Sequence, residues 1–375
     1  MAFSIRSVTK KLLIFFNLLA AIFFLLGCYG HHLNQARFWF TGLFNLASFY
    51  LLLILVGFLF FWLVVKPRLS LISLGAMLLA WGPMAHLVQF RFGDEFNMEK
   101  NAASLRVMSW NVEHFEIATY KKKPESKQDM IRLINNYQPD IACFQEMVAN
   151  ENLPTAINYL PDFAKLLNMK YYYYSYNEKL DYDKDHHFGI VIFSRYPIAE
   201  KKTVSYAPNN YNSIFQYADV VKGKDTIRVF NLHLQSLRFS AEDRQYLDQP
   251  NIDEESNFRK SRNIISKFKE GFIKRKDQSD RIKREMNISP YPLIVCGDFN
   301  DVPNSYAYYN IGDGLTNSFV EEGSGIGRTF ASISRTLRID NIFVSPSLEV
   351  QQFKRVEKKL SDHFPIVTDL YYKKP

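Results

Sequence analysis

A series of short apolar runs in the later part of this chain end in, or open on, polar residues of the kind a core excludes. Residues 105–110 lead to Asn111, and residues 141–144 lead to Gln145 and Glu146. The run 227–232 contains Asn231 and is followed by His233. Gly297-Asp298-Phe299-Asn300-Asp301 follows another, Arg338-Ile339-Asp340-Asn341 opens a further one, and Ser361-Asp362-His363-Phe364-Pro365 precedes the last. Taken singly, each has an ordinary explanation: a turn at 298–301, a carboxylate near a helix start at Glu146, a satisfied core histidine at His233. Taken together, the residue types are those that hydrolysis of a phosphate ester requires. That reaction needs a positioned in-line water, neutralised equatorial oxygens and a protonated leaving alkoxide.

The elements that must carry these groups are legible as periodicity. Strands are predicted at 105–110, 141–144, 189–193, 227–232, 293–296, 339–344 and 365–367. Met130, Leu133, Ile134 and Tyr137 have helical spacing behind Ser126 as N-cap, and Pro139-Asp140 ends that helix. The class is mixed α/β. Cys143 and Cys296 lie inside strands and read as small core residues; Tyr171 to Tyr174 read as a strand with alternating buried and exposed rings. The charge-dense stretch 238–287 carries Ile264, Ile265, Phe268 and Phe272 as a helical stripe, which predicts a solvated helix covering the sheet, with substrate or anionic-lipid contact as the lesser alternative.

The first hundred residues are different. Residues 12–36, 38–65 and 69–90 contain no charged side chain. A bilayer core of ~30 Å needs about 20 helical residues, so three transmembrane helices are predicted, at about 12–29, 38–65 and 69–90, within a membrane anchor spanning 1–92 and ahead of a catalytic domain at 100–375. The basic start with Leu25-Leu26-Gly27-Cys28 also fits a cleaved lipoprotein signal, but two further spans make such an anchor redundant. Lys10, Lys11, Lys66 and Arg68 flank the spans so that the N-terminus and the second loop face the cytoplasm. The later domain is then extracytoplasmic, on a bacterial inner membrane. The net charge of +8 therefore misleads. Eight Lys and Arg against three Asp and Glu before residue 101 account for most of it, leaving a nearly neutral domain without the basic excess of a protein that neutralises many phosphates. Three cysteines in 375 residues exclude a disulfide-stapled scaffold.

The ordered set Ser109-Trp110-Asn111, Pro139-Asp140-Ile141 with Gln145-Glu146, residues 193–198, Asn231-Leu232-His233-Leu234, Gly297-Asp298-Phe299-Asn300, Arg338-Ile339-Asp340 and Ser361-Asp362-His363 resembles the endonuclease/exonuclease/phosphatase superfamily, the fold of the pancreatic deoxyribonuclease type. The resemblance runs from residue 105 to residue 367. It implies a four-layered α/β sandwich, two packed mixed sheets flanked by helices, with the site at one edge. It further implies that Glu146, with Asn111 and Asp362, binds Mg²⁺ or Mn²⁺, ions that take oxygen ligands and keep room for water and phosphate. By the same resemblance Asp298 and Asn300 orient the attacking water, Asp340 orients His363 as base or phosphate contact, and His233 donates to a phosphate oxygen or to the leaving group. His187 stands where relatives place another polar group, and is a weak candidate. Asn341 departs from the family's usual aromatic or histidine, which bears on substrate fit. The implied partners are a phosphate-ester substrate, either nucleic acid or a phospholipid head group, and the bilayer; no obligate protein partner is indicated. Three activities follow: a nuclease or general phosphodiesterase first, then a lipid or head-group phosphoesterase of the sphingomyelinase or inositol-phosphate type, and last a non-enzymatic, membrane-held binding module. The intact polar set disfavours the last.

Overall fold

The structure, a computed structural model, describes residues 5–91, 95–116, 125–152, 159–176, 186–205, 214–248 and 254–373. It begins with α1 (Ile5–Tyr29) and α2 (Thr41–Val65), each of 25 residues and long and apolar enough to cross a membrane. The third apolar run was expected as one span. It forms two helices, α3 (Ser70–Leu79) and α4 (Trp81–Leu87), which meet at 73° and together are long and apolar enough for one bent span. Pro83 has no N–H to give the Leu79 carbonyl, so the ladder is interrupted. The Tyr29 hydroxyl donates to that carbonyl instead, at 2.5 Å. The helices pack closely: a Cβ on Gly27 would stand 2.5 Å from the Phe44 carbonyl oxygen, and Ser73 donates to Asn17 across the bundle at 2.8 Å.

Two six-stranded mixed sheets follow, as the superfamily resemblance implied. The first is built from β1 (Leu105–Asn111), β2 (Ile141–Ala149), β3 (Tyr171–Tyr176), β4 (His187–Ser194), β11 (Leu348–Arg355) and β12 (Ile366–Tyr372), in the order β11-β12-β1-β2-β4-β3. The second holds β5 (Ile198–Ser205), β6 (Ile214–Lys222), β7 (Asp225–His233), β8 (Leu293–Asp298), β9 (Thr316–Asn317) and β10 (Asp340–Val344), in the order β5-β6-β7-β8-β10-β9. Each sheet has one parallel pair at its centre, β1 with β2 and β7 with β8. Alternation divides each strand between two interiors. Val107, Cys143, Val229 and Cys296 meet between the sheets. Met108, Phe144 and Phe193 pack outward on α5 (Ser126–Tyr137) and α6 (Leu160–Leu166), whereas Phe230, Val295 and Phe343 pack on α8 (Glu254–Asn287) and α9 (Tyr306–Gly312). The result is a four-layered sandwich. Short helices α7 (Ala241–Asp248) and α10 (Ser318–Glu322) complete it.

The bundle and the sandwich share contacts. Asn45 of α2 donates to the Asn304 carbonyl at 2.8 Å, and Asn304 donates to the Pro83 carbonyl at 3.2 Å. His86 Nδ1 and the Tyr308 hydroxyl are 2.9 Å apart, and His31 stacks on Tyr309 with centroids 3.6 Å apart. Phe272 of α8 lies so close to Gly42 that any side chain there would strike its ring.

Candidate active site

Strand register brings the polar residues to one edge of the sandwich. Asn111 ends β1 opposite Gln145, and His233 ends β7 opposite Asp298 at the end of β8. Asp340 opens antiparallel β10 and also pairs with Asp298. Asp298 is thus flanked on both sides by site residues through backbone pairing alone. Gly297 makes this possible, since its φ is 142° and a Cβ there would lie 2.0 Å from the Leu232 carbonyl oxygen. On the other sheet, a bulge between Phe144 and Met147 and a left-handed φ of 54° at Glu146 turn its carboxylate out of the β2 alternation and toward the same edge.

The side chains converge. His363 Nδ1 lies 2.9 Å from Asp340 Oδ2, and its Nε2 faces Asp298 Oδ2 at 3.7 Å. His233 Nε2 faces Asp298 at 3.8 Å and Glu146 at 3.6 Å. Asp298 accepts from the Asn300 backbone N–H at 2.8 Å, from Asn300 Nδ2 at 3.2 Å and from Asn111 Nδ2 at 3.2 Å. Asn300 itself is held by the Leu234 carbonyl. The loop carrying His363 is fixed by the Ser361 hydroxyl, which donates to the Asn111 carbonyl and accepts the His363 N–H, and by Trp110 Nε1 donating to the His363 carbonyl at 2.9 Å. Ile339 and Asp340 both donate backbone N–H groups to the Thr329 hydroxyl, which sets the start of β10.

Electrostatics sort these groups. Burial and the nearby Asp362 carboxylate push Glu146 up to about 7. Burial raises Asp298 as well, against the opposing effect of His363. Burial, with His363 and His114 nearby, lowers His233 to about 3, so that imidazole is neutral. Burial alone would lower His363 too, but the carboxylates of Asp340 and Asp298 outweigh it and hold His363 well above the usual imidazole range. Burial therefore favours the neutral form of one histidine, while neighbouring carboxylates favour the charged form of the other.

All eight residues singled out in the sequence, Asn111, Glu146, His233, Asp298, Asn300, Asp340, Asp362 and His363, lie at this edge. His187 does not line the cleft; it stacks on Tyr176, with centroids 4.1 Å apart. Two residues escaped sequence reasoning. Glu113 accepts the Asp362 N–H at 2.8 Å, and His114 Nε2 lies 3.4 Å from Glu146. Both sit in a left-handed turn, φ 43° and 61°, which no hydrophobic period announces.

The oxygen-rich donor set fits a hard divalent cation. Glu146 and Asp362 are close enough to raise the Glu146 pKa by repulsion; beside them Asn111 Oδ1 accepts the Glu113 N–H at 3.1 Å and the Glu113 carboxylate accepts the Asp362 N–H at 2.8 Å. Asp298, Asp340 and His363 also bring one ligand atom each within 4.8 Å of one another. In that trio His363 Nδ1 is hydrogen-bonded to Asp340 at 2.9 Å, and Nε2, directed at Asp298 Oδ2 at 3.7 Å, is the nitrogen open to a ligand. A cleft of about 730 Å³ opens over the site; besides the acidic groups it is lined by Arg238, Arg244 and Arg275, and by apolar residues from the sandwich and from α2.

Residues 108–363 match the Endonuclease/Exonuclease/phosphatase family, and residues 10–87 match a family described only as a domain of unknown function. None of the curated proteins matches the chain. Among solved structures, an endonuclease/exonuclease/phosphatase family protein from Bacteroides thetaiotaomicron is similar at 20% identity, covering 73% of this chain and 100% of that one with a TM-score of 0.51. A functionally unknown conserved protein from Enterococcus faecalis V583 is similar at 15% identity, covering 72% of this chain and 100% of its own, with a TM-score of 0.50. Such identities speak for the fold alone. The family match covers more than half of the chain and its site edge, and the protein belongs to the endonuclease/exonuclease/phosphatase family of phosphoesterases.

Proposed function

We propose that this chain is a membrane-anchored, divalent-metal-dependent phosphoesterase that hydrolyses phosphodiester bonds, with its catalytic domain on the extracytoplasmic side. The observation that carries the reading is the pairing of a charged His363, backed by Asp340, with a neutral His233 across Asp298. Asp298, held by Asn300 and Asn111, accepts a hydrogen bond from the attacking water and draws its proton as the new P–O bond forms. His363 presents Nε2–H and a positive charge to a non-bridging phosphate oxygen, and Asp340 fixes the orientation of its ring and stabilises its charge. His233, neutral and buried, donates from Nε2 to a second oxygen. Glu146, Asn111 and Asp362 would hold the cation. When bound, the cation supplies Lewis-acid polarisation of the phosphate and neutralises its developing charge.

The test uses the full-length chain in detergent with bis(p-nitrophenyl) phosphate and added Mg²⁺ or Mn²⁺. Hydrolysis is expected, abolished by Glu146→Ala or His363→Ala and by excess chelator. Full activity in chelator would refute the metal-dependent reading.

A further inference from the structure

The cleft over the site does not end in the catalytic domain. Its walls include Leu46 and Tyr50, which belong to the membrane helix α2. At ~1.5 Å per residue, Tyr50 lies about 14 Å along α2 from Thr41. Leu46 and Tyr50 therefore both sit in the first ten residues of an apolar helix long enough to cross a membrane, at the end of it that docks on the sandwich. The opposite wall is equally apolar: Phe239 and Phe268 pack edge to face at 5.6 Å, and Phe268 stacks on Phe272, the ring seated on Gly42 of α2. Lys269 of the same α8 lies over the Trp39 ring just before α2. At the mouth, the Tyr50 hydroxyl and the Ser334 hydroxyl are 2.8 Å apart, tying α2 to the loop that carries Ile333. One continuous cleft therefore joins acidic and histidine groups suited to a phosphate, three arginines, and an apolar wall carried by a helix long enough to cross a membrane.

We infer that the substrate is a glycerophospholipid drawn from the bilayer, its phosphate placed beside Asp298 and His363 and its acyl chains laid against Leu46, Tyr50, Phe239 and Phe268. A nucleic acid makes no use of such a wall, whereas a lipid requires one. The inference rests on the phosphoesterase reading and deepens it. In the reaction one water adds to phosphorus, one P–O ester bond breaks, and the leaving oxygen departs with one proton, giving an alcohol and a phosphate monoester.

The full chain is reconstituted in nanodiscs of phosphatidylethanolamine and phosphatidylglycerol with Mg²⁺ or Mn²⁺. Lipid products are followed by mass spectrometry, and bis(p-nitrophenyl) phosphate turnover is measured in parallel. Lipid turnover is expected. Leu46→Trp should lower it at least about tenfold relative to turnover of the soluble diester, while Leu53→Trp, on an exposed part of α2 outside the cleft, should leave that ratio as it is. Ile333→Asp serves as a second variant. Its left-handed backbone, φ 62°, suits Asp better than Ile, so the fold is retained while a negative charge enters the mouth, and the same selective loss is expected. Turnover of the soluble diester with the lipid untouched, or of an oligonucleotide alone, overturns the inference and leaves the phosphoesterase reading standing. Equal loss on both substrates in both variants also overturns it. Failure to hydrolyse either substrate refutes the phosphoesterase reading itself.

Discussion

Replacing Asp340 by Asn separates positioning from charge at this site. Asp340 and His363 are 2% and 4% exposed, and their 2.9 Å contact is sheltered from water. Opposite unit charges at about 4 Å in an effective dielectric of about 20 interact by about 4 kcal/mol. The amide keeps an oxygen that can accept from Nδ1, so the loss is the ionic share, about 2–4 kcal/mol. At about 1.4 kcal/mol per decade of rate, kcat should fall about 30- to 1000-fold. KM should change by less than about threefold, because Asp340 acts through His363. The pH profile carries the finer test. Burial pulls the His363 pKa down, while Asp340 and Asp298 hold it up. Without the Asp340 charge the imidazolium is lost at lower pH, so the alkaline limb of kcat should move toward acid. The assay is bis(p-nitrophenyl) phosphate hydrolysis by the full chain across pH, with thermal melting to confirm the fold. A variant keeping more than about a third of kcat with an unmoved alkaline limb would refute the role given to Asp340.

The metal-free protein should lose stability as pH rises from about 6.5 to about 8. Burial raises Glu146 and Asp298 to about 7, and the carboxylates of Asp340 and Asp298 raise His363 against burial, so across this window the folded state holds protons that the unfolded state has released; the last of the carboxylate share is lost near pH 7 and the His363 share is lost as pH rises further. His233 is neutral in the folded state throughout this window and mostly so in the unfolded one, and contributes little there. Melting temperature in chelator should therefore fall across the window, and divalent cation should restore more at the upper end; a flat profile would contradict the assignment. Gly297→Ala should cost about 3 kcal/mol or more, since its φ of 142° is disfavoured for Ala and the new Cβ meets the Leu232 carbonyl. Thermal melting read beside activity would show it, and a wild-type melting point would overturn the claim that this glycine sets the position of Asp298.

Much of the site was legible because chemistry interrupts pattern: Asn111, His233 and Asp298 are polar residues where a strand's alternation or run should close on apolar ones. Glu113 and His114 gave no such signal, because a left-handed turn has no period to break. Strand β5, IAEKKTVS, was missed because an edge strand with a solvated face carries too few apolar positions. The third membrane run was expected as one helix because hydropathy weighs side chains and ignores a missing backbone donor at Pro83. The lipid-facing wall was out of reach for a different reason. Leu46 and Tyr50 are unremarkable members of an apolar helix until docking sets them opposite α8, and no local spacing encodes a contact between residues so far apart in sequence.

Arg338 gives the seam between bundle and sandwich a further meaning. Its side chain is fully buried two residues before Asp340, stacks its guanidinium over Phe319 at 3.9 Å, and donates to the Ile326 carbonyl at 2.8 Å and to the His86 carbonyl on α4. The strand bearing Asp340 is therefore anchored to α4, the last helix of the N-terminal bundle, by a charge that has left water. The helices precede the sandwich in the chain, so they emerge first during synthesis. Cut away from them, the domain would keep the Arg338 contacts to Ile326 and Phe319 but lose the one to His86, so the start of β10, and Asp340 with it, would be held less firmly.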